Sequence, residues 1–529
     1  MDSEVLNQPP PLVDNNLFST NRPLREAVVR EHAEWACARL EALGRSLGKP
    51  EAMEWGTQAN EYPPVLRTHD RFGRRRDEVE FHPAWHNLMR LAVEHGIHNL
   101  PWASPRPGAH VARAAMAVLA AGNEAGHMCP ISMTYSAVPV ILKNETVARE
   151  WMPLIRSNQY DPSFLPPAWK RGALVGMAMT EKQGGSDVRA NLTRAERVGG
   201  DEYLLQGHKW FCSAPMCDAF LVLAQAPRGL ACFFLPRWKP DGTVNAFHLQ
   251  RLKPKLGNRS NASSEVEFHG AWCRLIGEEG RGVATIMEMV QHTRLDCILA
   301  SVALMRRALA EALHHAAHRH AFGRVLLHQP LMRNVLADLA LESEAATLLA
   351  MRLARAFDEQ DRGFARLAVA VGKYWITKRT PVHVSEALEC LGGNGYVEEC
   401  ILPRLYREAP LNSIWEGSGN VIALDVLRAL KRDPESLERL LAEVRLAADP
   451  RIEHYLADVT RDVSESAARS IAEGLAIALE ASLMVRFSPS AIADAFCASR
   501  LTRDWGRTFG TLPAAVSIDA VLEDACSAS

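Results

Sequence analysis

Three glycine-punctuated segments hold most of the residues that could do chemistry: MAMTEKQGGSDV (177–188), CLGGNGYVEE (390–399) and NSIWEGSGN (412–420). The third carries one carboxylate, Glu416, between Trp415 and Gly417. A carboxylate in such a loop can act as a general base if burial lifts its pKa toward neutrality. The plainer alternative is an acid favoured by the dipole at a helix start. Glycine-rich turns with Ser or Thr can cradle a pyrophosphate on backbone donors, and the plainer alternative for each is an ordinary tight turn. None is a GxGxxG turn inside a strand–helix–strand unit, which argues against a Rossmann nucleotide site. His314, His315, His318 and His320 have helical spacing that could hold a metal. No metal is expected, because that stretch coincides with one of the motifs discussed below. Ser and His occur without a GxSxG elbow, so a serine hydrolase is disfavoured.

The elements that must position these residues change texture along the chain. Residues 1–20 read as a Pro/Asn-rich arm. Helical spacing starts after Asn21, an N-cap residue followed by Pro23, and puts Leu24, Val28, Trp35, Leu43 and Leu47 on one face of a helix. A turn-rich stretch through Pro63-Pro64 and Phe72-Gly73 precedes helical patterns over most of 84–157. From Gly172 to about 280 the segments are short and β-rich: Tyr203–Leu205, Ala219–Ala224, Leu230–Leu235 and Glu265–Phe268. Turns such as Gly199-Gly200-Asp201 separate them, which predicts a compact antiparallel β domain. Helical periodicity returns from 283, with long runs at 294–319 and 330–357, and restarts after the breaker Asp433-Pro434. The fold class is therefore mainly α with a β domain. The expected domains are an arm at 1–20, an N-terminal helical domain at 21–171 and a middle β domain at 172–282. A helical bundle at 283–432 carries Glu416, and an extra C-terminal helical domain fills 433–529.

At 529 residues the chain exceeds one hydrophobic core. Its net charge of −2 advertises no global field for nucleic acid or anionic membrane. The 11 cysteines form no CxxC pair, which fits free thiols in a reducing compartment. Acids and prolines stand where a signal peptide would be basic and apolar, and no apolar run approaches the roughly 18–20 residues of a span. A cytoplasmic protein with no membrane partner is expected.

The order of the motifs resembles the acyl-CoA dehydrogenase family. MAMTEKQGGSDV is similar to the family's TEPxxGSD flavin signature, and GHKWFCS (207–213) to its following GxKxWIT strand. HRHAFGRVLLHQ (318–329) resembles the R-x-x-F-G stretch that ends in Gln, and ALECLGGNGY and YREAPLNSIWEGSGN complete the set in order. That likeness covers roughly 20–432. NQPPPLVDNNL, FHPAWHNLM, CPISMTY, LGNRSNASSEVEF and the added C-terminal segment resemble the AidB branch, adaptive-response flavoproteins linked to alkylating agents, and extend the likeness over essentially the whole chain.

The resemblance implies FAD as cofactor, an acyl-CoA-type substrate and a helical, β, helical architecture. Glu416 matches the base that removes the proton α to a thioester while hydride leaves the β carbon for flavin N5. Its own N–H would help polarise the thioester carbonyl. Met179 and Thr180 match positions at the ring edge, Gly185 and Ser186 a pyrophosphate turn, Phe211 a ring-packing side chain and Ser213 a donor near N5. Arg319, Phe322 and Gln329, with Gly392 and Gly393, match residues that reach the FAD of a neighbouring subunit, and Ser418 and Asn420 match FAD contacts just after the base. A homo-oligomer, in the family commonly a tetramer, is implied, as is an electron-transfer flavoprotein as acceptor. Arg294 either lies near the base or is an exposed helix-start arginine. Lys182-Gln183 replaces a proline-containing turn, Phe211 a Trp, and Trp415 a Tyr, the last narrowing the acyl pocket.

The alternative is a double-stranded-DNA-binding flavoprotein of the alkylation response with weak dehydrogenase activity. Its basic candidates are a stripe through Arg500, Arg503 and Arg507 beside Trp505, and a cluster at Arg67, Arg71 and Arg74–Arg76 that also reads as a solvated turn. Against it, residues 441–529 hold 8 basic and 13 acidic side chains, a net of −5 that opposes phosphate binding.

Overall fold

The structure is a computed structural model that describes residues 6–459, 461, 463–502 and 508–526. The chain folds as two compact units, one of Met1–Pro50, Arg106–Asn123 and Arg294–Ser529, the other of Glu51–Pro105 and Glu124–Thr293.

In the second unit the helix Pro50–Glu61 leads into a short hairpin, β1 (Val65–His69) and β2 (Arg75–Glu80). The arginine cluster lies on it: Arg67 pairs with Glu80, Arg75 with Asp77 and Arg76 with Glu78, so most of its charge is answered locally. Seven further strands form one sheet: β3 (Val175–Ala178), β4 (Arg194–Gly199), β5 (Glu202–Ser213), β6 (Ala219–Ala226), β7 (Gly229–Pro236), β8 (Phe247–Leu252) and β9 (Ser263–Ile276). All four short apolar runs of the sequence fall inside these strands. The sheet closes on itself, β6 pairing β7, β7 pairing β9, β9 pairing β5, β5 pairing β4, and β4 meeting β6 at Arg194 and Gln225. Such closure removes open edges. The pairing is not wholly antiparallel as expected, because β3 runs parallel to β6 from Val175–Ala219 to Ala178–Val222. The connection between them is long enough to hold the β4–β5 hairpin, so the chain re-enters beside β3 in the same direction. Tyr203, Phe220, Phe233, Phe234, Phe247 and Phe268 fill the interior. Gly176 is required there, since a Cβ would stand 2.5 Å from the Phe220 ring.

The first unit is helical. Asn21 caps the Arg22–Arg30 helix, its side chain accepting from Leu24 N–H. The single helix expected through Leu47 is broken. His32 adopts φ +64° and Ala33 N–H turns back to Val28 O, so Trp35 leaves the face it was assigned to and a new helix starts at Cys37. The long helices Gly282–His318 (from Arg294 onward in this unit), Pro330–Asp358 and Arg362–Cys390 form the bundle. Asp433 caps the helix Pro434–Arg445, as the breaker predicted, and Ala468–Phe487 and Ser490–Arg500 follow.

These last helices join the bundle through buried charge. Arg500 is 2% exposed and pairs with Asp338 and Glu342, while Arg379 also holds Glu342. Burial opposes ionisation of Glu342, but the two arginines outweigh it and hold the carboxyl at about 2. Trp375 Nε1 donates to the buried Glu480 at 3.0 Å. Arg500 is therefore no part of a solvent-facing basic stripe, because its charge is consumed inside the protein. Arg503, Trp505 and Arg507 lie outside the described residues.

Candidate active site

In the β unit, strand β3 delivers Met179 and Thr180 to its end. The strand is anchored at its start by Thr134, whose hydroxyl accepts from Val175 N–H at 3.0 Å. At its exit lies a fully buried ion pair. Lys209 Nζ, on β5, donates to Glu181 Oε1 at 2.7 Å and to Leu223 O at 2.7 Å, and reaches Met179 O at 3.4 Å. Glu181 also accepts from Leu192 N–H, Thr193 N–H and Gln183 Nε2. Burial alone would neutralise both partners. Lys209 and the added donors nevertheless hold Glu181 at about 2, while burial pulls Lys209 down to about 8 against the pull of Glu181. Both are charged at neutral pH.

Around this pin the sequence-predicted residues are gathered. Trp210 N–H donates to Thr180 O at 2.8 Å, tying β5 to the Thr180 edge. Gly185 folds so closely over Thr180 that a Cβ would lie 2.4 Å from Thr180 Oγ1. Phe211 is 49% exposed, a large apolar ring offered outward. Lys253 Nζ stands 4.5 Å from its centroid and 3.6 Å from that of Trp210.

In the helical unit Glu416 sits between the turn Ala409–Ser413 and the helix Gly419–Arg432. Its φ is +58°, a left-handed conformation unusual for a residue with a Cβ. The loop is held from beneath by two buried cations. Arg294 Nε donates to Glu416 O at 3.1 Å, and Lys373 Nζ donates to Gly417 O at 2.7 Å. Arg294 is fixed in turn by Asp425, which also binds Arg366 and Arg428. Burial works against the charged form of Asp425, but Arg294 and Arg366 overcome it and keep its pKa below the ordinary range. Burial lowers the pKa of Lys373 and pushes the neighbouring Cys297 thiol up to about 12. Trp415 Nε1 donates to Asn412 Oδ1 at 3.1 Å, and Asn412 donates to Ser301 Oγ at 3.2 Å, which fixes the residue before Glu416. Glu416 itself is half-buried.

The remaining predicted residues of this unit lie in two places. Ser418 caps the Gly419–Arg432 helix, and Asn420 Oδ1 accepts from Arg469 Nε at 2.9 Å. Arg319, Phe322 and Gln329 surround a hairpin of β10 (His320–Ala321) and β11 (Arg324–Val325). Phe322 stands at its tip with φ +51° and 98% exposure, and Gln329 Nε2 ties back to Ala321 O at 3.0 Å. Gly392, at φ +60°, and Gly393 form a turn where an added Cβ would meet nothing within 4 Å. His314 and His318 are engaged locally, with Nε2 of the first on Pro10 O and Nδ1 of the second on His314 O.

The donor set suits a flavin dinucleotide. The hydroxyls of Thr180, Ser186, Ser213 and Ser418, each a predicted contact, bond to nothing among the described residues. Open glycine turns and an exposed Phe211 complete the polar and apolar requirements. Sequence reasoning left Arg294 undecided and missed Lys373 and Arg469. A lysine inside the apolar run AVAVGKYWIT was the visible signal for the second.

Comparison with known proteins matches the same segments. Residues 7–162 match the adaptive response protein AidB N-terminal domain, 176–271 the acyl-CoA dehydrogenase middle domain and 280–431 the acyl-CoA dehydrogenase C-terminal domain. The chain is 47% identical to AidB of Escherichia coli (strain K12), over 93% of each protein. It is 32% identical to acyl-CoA dehydrogenase family member 11 of Caenorhabditis elegans, over 89% of this chain and 78% of the relative. A crystal structure of Caenorhabditis elegans ACDH-11 in complex with C11-CoA superposes with a TM-score of 0.85 at 27% identity, covering 95% of this chain and 94% of that one.

Proposed function

Since the chain belongs to the acyl-CoA dehydrogenase family, and within it to the AidB-like branch, we propose that Glu416 is the base of its FAD-dependent oxidation of acyl-CoA thioesters. The observation that carries this reading is the loop around Glu416. Two buried cations hold the carbonyls of Glu416 and Gly417, while the Glu416 side chain is left half-buried on a left-handed backbone. Backbone fixed this way keeps a carboxylate in place, as a general base requires.

When bound, FAD would supply the acceptor for the hydride lost from the β carbon of the acyl chain. Everything else falls to the protein. Glu416 takes the α-proton onto its carboxylate, and the cations beneath the loop keep its backbone from swinging away. Met179, Thr180, Gly185, Ser186, Phe211 and Ser213 would hold the cofactor from the β unit, with Ser418 and Asn420 from the helical unit. The Glu181–Lys209 pin keeps the Met179–Thr180 edge fixed. The hairpin bearing Arg319, Phe322 and Gln329, with Gly392 and Gly393, serves the cofactor of a neighbouring copy in a homo-oligomer. The support for that assignment is Phe322, a bulky ring left 98% exposed on a conformation that costs energy.

The direct test is anaerobic titration of the FAD-loaded protein with a panel of acyl-CoA thioesters of increasing chain length, including an eleven-carbon chain as bound by the nematode relative. Bleaching of the flavin absorbance by at least one member is expected. A panel that leaves the spectrum unchanged contradicts the reading. Among the described residues no helix is long and apolar enough to cross a membrane.

A further inference from the structure

The start of the N-terminal arm packs on the hairpin just assigned to the cofactor. Asn7 pairs with His320 as a neighbouring strand would. Its Nδ2 donates to His320 O at 2.9 Å, and its Oδ1 accepts from His320 N–H at 2.8 Å. The Arg319 guanidinium donates to Asn7 O. Three residues on, Pro10 O contacts His314 Nε2 at 2.7 Å. Between them, Gln8 Oε1 accepts from Asn394 Nδ2 at 3.0 Å, beside the Gly392-Gly393 turn. Asn7, Gln8 and Pro10 of the arm thus bridge the two segments that carry all five neighbour-facing positions.

The hairpin needs such a brace. Its strands are two residues each, and an isolated two-stranded hairpin is marginal in water even when longer. Its internal ties are the β10–β11 pairing, Leu326 N–H to Arg319 O at 2.8 Å, and Gln329 to Ala321. Asn7 itself adopts φ +57°, a conformation that Asn tolerates better than most residues and that turns its amide onto the strand.

We propose that Asn7–Pro10 are positioning residues for FAD: the arm fixes the Arg319–Val325 hairpin and the Asn394 turn in the geometry that receives the anionic dinucleotide end of the cofactor. This rests on the reading that the hairpin contacts FAD, so the experiment separates the two. FAD and ADP dissociation constants are measured by fluorescence and calorimetry on the full-length apoprotein, with apoprotein Tm alongside. The variants are Asn7→Gly, which keeps the left-handed backbone and loses both side-chain bonds, and Arg319→Ala.

Asn7→Gly is expected to raise both dissociation constants about tenfold, the value of one to two hydrogen bonds. Riboflavin affinity and apoprotein Tm should stay at the wild-type value, because the arm acts only on the dinucleotide end. Arg319→Ala should weaken FAD and ADP at least as much. If Arg319→Ala weakens FAD and Asn7→Gly does not, the arm has no positioning role and the proposal is overturned while the hairpin assignment stands. If neither variant changes FAD affinity, the hairpin assignment falls and takes the proposal with it. A drop in apoprotein Tm that matches the loss of FAD and riboflavin affinity alike would make the arm a general brace, which also overturns it.

Discussion

The two candidate regions, one in each unit, are supported in opposite ways. In the β unit the support is a closed ion pair: Lys209 and Glu181 satisfy each other at the exit of the strand that delivers Thr180. In the helical unit the cations reach backbone carbonyls, through Arg294 on Glu416 O and Lys373 on Gly417 O. The first arrangement makes a rigid edge with no spare charge, suited to holding a ring system. The second fixes the chain path that carries the reactive side chain. Cofactor retention should therefore depend on the first and the rate of proton removal on the second.

Breaking the pin gives the largest effect. Lys209→Met leaves Glu181 buried beside two backbone donors but without its cation, at a cost of about 3–5 kcal/mol. A fall of several degrees in Tm by calorimetry and loss of bound FAD on gel filtration are expected. Flavin retained at wild-type stoichiometry would erase the distinction between the two regions. Lys373→Met should behave differently, leaving FAD bound but slowing anaerobic flavin reduction about ten- to a hundredfold as the Gly417 carbonyl loses a charged donor. An unchanged rate would mean that the loop is held without it.

Acid should act on the pinned residues of both units. Glu181, Glu342 and Glu124, a buried carboxylate that accepts from His127 N–H and Ser260 Oγ, each sit at about 2 in the fold against 4.5 in the unfolded chain. The unfolded state therefore binds more protons in that window, and their contribution, complete above pH 5, is lost as pH falls toward 2. Circular dichroism against pH should show stability declining there, and a flat profile would contradict the ionised assignment. The smallest effect belongs to Gly185→Ala. Its Cβ would force Thr180 to another rotamer, weakening FAD a few-fold by fluorescence titration with Tm unchanged.

The glycine segments, the β-rich run and the long helices were legible because period, turn chemistry and motif spacing are local properties. The caps at Asn21 and Asp433 were legible for the same reason. The break at His32 was not, since Leu24 through Leu47 kept a helical period across it and only a tertiary turn ends the first helix. The parallel β3–β6 pairing is likewise a matter of how distant strands meet. Glu416 carried a motif and Lys373 stood out only as a lysine in an apolar run, while Arg469 and Asn7 act through amide contacts dozens to hundreds of residues away and leave no spacing to read. Arg500 misled in the same way, because a basic spacing says nothing about the acids of another helix that consume it.

The central claim is that Glu416 removes the substrate proton. Its most direct measurement is stopped-flow anaerobic reduction of FAD-loaded Glu416→Gln by whichever acyl-CoA bleaches the wild-type protein. The account predicts a mutant that keeps its flavin and binds the thioester but reduces the flavin at least a hundredfold more slowly. Reduction at the wild-type rate would show that another group takes the proton.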